Sequence, residues 1–207
     1  MNKGKLIILS GPSGAGKSTV VNKAIEKRNN ICFSVSVTTR SPRAGEIDGK
    51  DYFFLDQGTF NRMRENGELL EHACYVENSY GTPASFVRDN LDKGVNVVLD
   101  IEIQGARQVH EKVPDAVTIF ILPPSMDELA KRLRARATDS PDVVAARIKR
   151  ARQEIMEADF YDYLIVNKNA DDAAEKFLAI LDAEHCRFQR AICDAVLFGD
   201  KTASLAE

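Results

Sequence analysis

Four short runs of nearly continuous apolar residues punctuate the chain: 6–9 (LIIL), 95–101 (VNVVLDI), 117–122 (VTIFIL) and 163–166 (YLIV). Each is short, rich in aliphatic and β-branched residues, and without the strict polar alternation of a half-exposed strand, so each reads as a strand buried on both faces. Elsewhere the apolar spacing changes to three and four. Residues 18–27 bring Val20, Val21, Ala24 and Ile25 to one helical face. Ser125-Met126-Asp127-Glu128 matches a capping box opening a helix through about Arg134, and 142–158 and 170 to about 196 are also helical in pattern, the last long enough to break in two. Buried strands alternating with helices predict a parallel sheet covered on both faces.

Residues 35–94 break this rhythm. Short alternating or aromatic pieces such as SVSV at 34–37 and YFFL at 52–55 are interrupted by Gly45, Gly49, Gly58 and Gly67, which predicts a small inserted α/β lobe with mostly antiparallel strands. A second insertion, about 125–158, is helical and carries Arg132, Arg134, Arg136, Arg147, Arg150 and Arg152. The expected layout is a single domain with a core of 1–34, 95–124 and 159–207. In the last helix Phe177, Ile180 and Leu181 are expected on the sheet; Phe188, Ile192 and Leu197 extend the core or offer a self-association surface.

At 207 residues with 44% hydrophobic content, the chain can bury a substantial core. Its 28 basic and 31 acidic residues leave a formal net charge of -3, with a pI near 5.7. No overall basic field points to nucleic acid or an anionic membrane, so any anion site has to be local. The run at 6–9 is cut by Gly11 and Pro12 too early for a secretory leader, and no stretch of about 18 apolar residues could cross a membrane. Cys32, Cys74, Cys186 and Cys193 lack metal-ligand spacing and read as reduced thiols. A cytoplasmic protein without nucleic-acid or membrane partners is expected, with monomer and homo-oligomer both open.

Residues 11–18 (GPSGAGKS) directly follow the first buried run and open the first helix. Gly11, Gly16, Lys17 and Ser18 satisfy GxxxxGK(S/T), with Pro12, Ser13, Gly14 and Ala15 between them and Thr19 after. Glycines let successive N–H groups turn inward and the helix N-terminus adds positive potential. Lys17 can reach β- and γ-phosphates, and the Ser18 hydroxyl can ligate magnesium. The loop fits ATP or another nucleoside triphosphate with Mg2+, but GTPases, ATPases and small-molecule kinases all carry one. A GTPase would normally have an Asn/Thr-Lys-x-Asp motif; Asn167-Lys168-Asn169-Ala170 begins that way and lacks the acid. Asp100, closing VVLD, is a feature several classes share.

Residues 38–55 (TTRSPRAGEIDGKDYFFL) carry a more specific signal. Two arginines three apart, a glycine, an acid and a tyrosine suit an anion pocket, because guanidinium forks bind phosphate bidentately and a phenol donates one further bond. On charge alone a solvated loop fits as well. Thr38, Thr39, Arg40, Arg43, Glu46, Gly49, Tyr52 and Phe54, however, complete the pattern Thr-Ser/Thr-Arg-x-x-Arg-x-x-Glu-x-x-Gly-x-x-Tyr-x-Phe. Here the sequence strongly resembles the guanylate kinase family, nucleoside monophosphate kinases that phosphorylate GMP from ATP. The resemblance continues through ENSYGTP at 77–83, LDIEIQG at 99–105, ILPPS at 121–125, RLRARATD at 132–139 and IVN at 165–167. After about residue 184 no motif matches.

The resemblance implies an α/β fold of the P-loop three-layer type, with a GMP-binding lobe at 35–94 and a helical lid at 125–158. It implies that Arg40, Arg43, Tyr52 and Tyr80 hold the GMP phosphate while Ser36, Glu71, Thr82 and Asp100 face guanine. Lys17 and the loop amides would handle ATP with Mg2+ on Ser18, Arg136 and Arg147 would close over the transferred group, Arg132 would help on the ATP side, and Asn167 would lie near adenine. The base chemistry is consistent. Guanine offers N1–H and N2–H donors beside an O6 acceptor, which suits a carboxylate at Glu71, helped by Asp100, and a hydroxyl at Ser36 or Thr82, whereas adenine reverses that edge. Asp100 has a second reading, contact with magnesium through water. Arg134, Arg150 and Arg152 read as solvated surface charges, and His72, His110 and His185 as non-catalytic, since the acceptor is already a phosphate anion. A protein-binding module on the same fold would have a decayed phosphate loop; a kinase for another small phosphate would not need the TTRSPR element with Glu71 and Asp100.

Overall fold

The apolar runs of the sequence become strands of one parallel sheet. The computed structural model describes residues 3–43, 45–75, 77–135 and 140–187. In chain order the elements are β1 (Leu6–Ser10), α1 (Lys17–Lys27), β2 (Ile31–Phe33), β3 (Val37–Thr38), β4 (Phe53–Phe54), α2 (Gln57–Glu65), β5 (Leu69–Tyr75) and β6 (Asn78–Pro83). There follow α3 (Ala84–Asp92), β7 (Asn96–Asp100), α4 (Ile103–Lys112), β8 (Val117–Leu122), α5 (Met126–Ala135), α6 (Pro141–Met156), a 3-10 turn at Ala158–Phe160, β9 (Tyr163–Val166) and α7 (Ala170–His185). The central sheet runs β2-β7-β1-β8-β9, every pair parallel.

Strand alternation divides the core between two faces. Ile7, Leu9, Val98, Ile119, Ile121 and Ile165 face α1 and α7, while Leu6, Ile8, Val97 and Leu99 face α3 and α4. Helices on both faces leave no strand of the sheet's centre in water, which is why these strands are apolar throughout rather than alternating. Phe177 and Leu181 are fully buried and Ile180 packs at the edge of the same cluster. Each such buried side chain contributes about 1.5–3 kcal/mol.

A second sheet, β4-β3-β6-β5, forms from the irregular stretch. Its β3–β6 and β5–β6 pairs are antiparallel as expected, but β4 joins β3 in parallel. It has its own small core, Val37, Phe60 and Leu69 with Phe53, Leu55 and Met63 packed around them. The α5–α6 pair has another, built on Leu129, Leu133, Val144 and Ala151.

Capping explains where the helices begin. Ser140 Oγ accepts from the Val143 amide at 3.4 Å and proline occupies the first turn, so α6 starts at Pro141, just ahead of the expected 142. Ser125 Oγ accepts from the Glu128 amide at 3.1 Å, but the Glu128 carboxylate accepts from Arg132 Nε at 3.0 Å, so the capping box is one-sided. The expected continuation of α7 to about 196, with Phe188, Ile192, Cys193 and Leu197, lies outside the described residues. The remaining cysteines, Cys32, Cys74 and Cys186, are free thiols. Among the described residues no helix is long and apolar enough to cross a membrane.

Replacing Phe177 by Ala should lower unfolding free energy by about 3–5 kcal/mol, the range for opening a large cavity in a packed core. Urea denaturation measures this. A loss below about 1 kcal/mol would show that α7 is not anchored there.

Candidate active site

Parallel register brings the ends of β1 and β7 side by side, with Leu9 opposite Asp100, so the loop that leaves β1 meets an acid delivered by its neighbour. Gly11, Gly14 and Gly16 all have φ between +90° and +146°. A Cβ on Gly11 would lie 2.2 Å from the Ile121 carbonyl oxygen, and one on Gly16 would lie 2.5 Å from Asn167 Nδ2. Both conformation and space therefore demand glycine. Gly16 is the N-cap of α1 and supplies no side-chain bond, and no acid stands in the first turn. The uncapped amides of α1 and its positive end are left to an anion.

Lys17 is held over the loop. Its ammonium donates to the Gly11 carbonyl at 2.7 Å and pairs with Asp100 Oδ1 at 3.6 Å. Ser18 Oγ approaches Asp100 Oδ2 at 3.4 Å. Asp100 opens onto a cleft of about 330 Å³ lined also by Ser13, Lys17, Glu102 and Arg147. The surrounding protein penalises its charge and pushes its pKa up, opposed by Lys17 and Ser18. The Asp100 carboxylate thus stands against the phosphate loop through Lys17 and Ser18. A hydroxyl and a carboxylate side by side suit Mg2+, which keeps waters and substrate phosphates among its ligands instead of requiring a protein cage. The described residues contain no cluster of three or more His, Cys, Asp or Glu side chains that could hold a metal.

The loop is braced from behind. Asn167 is 4% exposed and its amide donates to the Ala15 carbonyl at 2.8 Å. Arg132 Nη2 donates to the Asn167 carbonyl at 3.1 Å. The side chain expected beside adenine is thus engaged in supporting the loop. From α6, Arg147 Nη1 reaches Ser13 Oγ at 3.4 Å; Arg136 lies outside the described residues. Arg150, read from sequence as a solvated charge, lines the same cleft and donates to Glu102 Oε2 at 2.7 Å and Glu154 Oε1 at 3.0 Å. Nothing in its local sequence separates it from Arg152.

The other cluster stands on the smaller sheet. Arg40 Nη2 forks onto Glu46 Oε1 and Oε2 at 2.8 and 3.0 Å, and the Arg43 amide donates to Glu46 Oε2 at 2.7 Å. The Arg40 guanidinium, then the Arg43 amide, hold the Glu46 carboxyl below its ordinary pKa. Arg40 also lies 5.4 Å from the Tyr52 ring centre, with Tyr80 beside the same guanidinium and its ring 6.1 Å from Tyr52. Sequence reasoning had Glu46 in the motif without a task; its task is to orient both arginine segments. Ser36 sits just ahead of β3, partly buried, its carbonyl accepting from the Phe53 amide.

Glu71 is 5% exposed, on β5. Thr82, fully buried on β6, donates its hydroxyl to Glu71 Oε1 at 2.7 Å. That hydroxyl proton is therefore engaged with the carboxylate. Burial pushes the Glu71 pKa up, partly offset by the Thr82 bond and by the Lys112 charge. Gly105 of α4 adjoins the other oxygen: a Cβ there would stand 3.1 Å from Oε2. A buried carboxylate with one side-chain hydrogen bond among the described residues retains acceptor capacity for further donors.

Comparison with known proteins agrees with this architecture. The guanylate kinase family profile matches residues 3–184. A guanylate kinase of Lactococcus lactis subsp. lactis is 50% identical over 190 residues, 92% of this chain and 93% of its own. One from Streptococcus thermophilus is 51% identical over 191 residues, covering 92% and 91%. The crystal structure of guanylate kinase from Anaplasma phagocytophilum aligns with a TM-score of 0.69 at 44% identity, covering 89% of this chain and 87% of that one. The phosphate loop, the arginine–tyrosine cluster and the buried acid thus stand in a chain that belongs to the guanylate kinase family.

Proposed function

We propose that this protein transfers the terminal phosphoryl group of ATP to GMP, giving ADP and GDP, with dGMP used more slowly. The observation that carries the substrate choice is the buried Glu71–Thr82 pair on the same small sheet as the Arg40, Arg43, Tyr52 and Tyr80 cluster. An anion site beside a buried acceptor matches a nucleotide whose base presents donors, and guanine does so through N1–H and N2–H. Adenine would leave the carboxylate facing a lone pair. Sites built around such bonds reject the wrong partner by about 10⁴–10⁵.

In the reaction an oxygen of the GMP phosphate forms a bond to the γ-phosphorus as the bond to the β–γ bridging oxygen breaks. The acceptor is already anionic, so no general base is required; the protein supplies alignment and charge. Lys17 exchanges the Gly11 carbonyl for phosphate oxygens, and the α1 amides with residues 11–19 cradle them. Ser18 and Asp100 are the residues that would hold Mg2+, which would supply positive charge for the donor phosphates. Arg40 and Arg43, preset by Glu46, fix the acceptor with Tyr52 and Tyr80, while Ser36 meets the base. Arg147 and Arg136 stabilise the group in flight, and Arg132 and Asn167 keep the donor loop in place. Residues 35–94 act as the acceptor lobe and 125–158 as a lid that excludes water, which would otherwise take the phosphoryl group.

ADP formation from ATP and magnesium, measured separately with GMP, dGMP, AMP, CMP, UMP and dTMP, should show GMP preferred over AMP by about 10³-fold or more in kcat/KM. Comparable use of AMP would refute the base assignment, and no turnover with any acceptor would favour a binding module. The pKa of Glu71 adds a signed pH dependence. Its carboxylate must be ionised to accept two donors, and burial raises its pKa. As pH falls from about 8 to about 5, KM for GMP should therefore rise, starting above the ordinary Glu range of about 4.3. In Glu71→Gln, KM should be high throughout and lack this component. Acceptor phosphate ionisation, near pH 6, affects both proteins alike, so parallel profiles would remove Glu71 from base recognition.

A further inference from the structure

Strand β5 is the outer strand of the smaller sheet, and Glu71 occupies its weakest point. Pairing with β6 matches Leu69 to Pro83 and His72 to Gly81, with a shift of register between them. Inside such an irregularity the ladder does not fix how far a side chain projects or at what height it stands. Yet Glu71 is buried and hydrogen-bonded to Thr82, so something other than strand pairing sets its place.

Helix α4 lies along that outer edge. Lys112 Nζ donates to the Leu70 carbonyl at 2.7 Å and approaches the Leu69 carbonyl at 3.3 Å. Gln108 brackets His72, its Oε1 facing the His72 amide and its Nε2 the His72 carbonyl, both at 3.4 Å. Gly105 faces Glu71 Oε2, where its missing side chain leaves room for the carboxylate. Positions 105, 108 and 112 are spaced three and four apart, so they form one stripe of the helix. The stripe engages main chain on both sides of the irregularity and clears space in the middle. It also satisfies edge carbonyls that would otherwise be open to another strand. The Lys112 charge acts on Glu71 as well, favouring its ionised form.

We propose that Gly105, Gln108 and Lys112 are positioning residues that hold the irregular segment of β5 against the core, setting Glu71 at the guanine edge. This rests on the assignment of GMP as acceptor. None of the three is among the residues assigned to substrate in the proposed function. Because α4 follows Asp100 directly, the helix also ties the acceptor's base pocket to the strand that serves the donor loop.

The test uses the full chain with Lys112→Met, Lys112→Arg and Gly105→Ala. Steady-state kinetics with each substrate varied should give a KM for GMP raised about tenfold in Lys112→Met, the scale of losing one charge-assisted bond, with kcat and KM for ATP unchanged. Lys112→Arg, which can donate to the same carbonyls, should recover most of the loss. Gly105→Ala should raise KM for GMP in the same way without lowering the melting temperature, because alanine favours a helix over glycine. Hydrogen–deuterium exchange of unliganded Lys112→Met should accelerate across 69–75 and stay unchanged in β1 and β7. Unaltered KM for GMP in Lys112→Met and Gly105→Ala, with the unsubstituted protein still selecting GMP, would overturn the inference alone. Equal rises in KM for both substrates would overturn it in favour of general loosening. If the unsubstituted protein did not select GMP, the functional reading would fall instead. The exchange result would then decide by itself whether α4 holds the strand, unaltered exchange refuting it.

Discussion

The Lys17 ammonium, shared between the Gly11 carbonyl and the Asp100 carboxylate, is the contact on which the rest of the site depends. It joins residues 83 positions apart, and it exists because β1 and β7 are neighbours in a parallel sheet with Leu9 opposite Asp100. Parallel strands end on one side of the sheet, so loops leaving that side share a crevice. The glycines let the loop wrap closely enough for the lysine to fold back over it. The helix that follows has no side-chain cap at its N-terminus, which suits an anion there. Sheet, loop and helix are one solution to placing an anion against buried backbone.

The acceptor side works by a different economy. Glu71 is an acid held almost out of water, and burial alone would drive it towards its neutral form. Thr82 and the Lys112 charge act against that tendency, leaving the carboxylate partly compensated until donors arrive. Such a group discriminates well because its cost falls on the wrong ligand. The arginine–tyrosine cluster makes no such choice, since a phosphate is common to every nucleotide. On the proposed function, affinity and selectivity rest on separate parts of one small sheet, against which α4 packs.

Much of this was legible in the sequence because it is written locally. Buried strands must be apolar on both faces, and four of the five central strands declare themselves that way. The glycines and lysine of the loop sit within eight residues, and Arg40 to Phe54 forms one continuous motif. What escaped depends on distant register. β2 has only three residues, with Ile31 as its one buried member, and β3 and β4 have two each, too few for any period. α4 is short, with a glycine in its first turn that weakens a helical pattern and makes sense only once Glu71 is seen against it. The bond from Asn167 to the Ala15 carbonyl, 152 positions away, could not be read from its motif. Asp100 likewise needed the sheet before its company could be known, and Arg150 resembles any exposed arginine until Glu102 is placed opposite it.

On the proposed function, the buried Glu71 carboxylate selects guanine by accepting from its N1–H and 2-amino groups. Inosine monophosphate keeps the phosphate, the ribose, N1–H and O6 and lacks only the 2-amino group. Calorimetric titration of the unmodified protein with GMP and with inosine monophosphate therefore isolates that one donor. A hydrogen bond to a charged acceptor contributes about 1.5–3 kcal/mol, so inosine monophosphate should bind about 10- to 100-fold more weakly than GMP. Equal dissociation constants for the two would show that Glu71 does not select guanine through its 2-amino group.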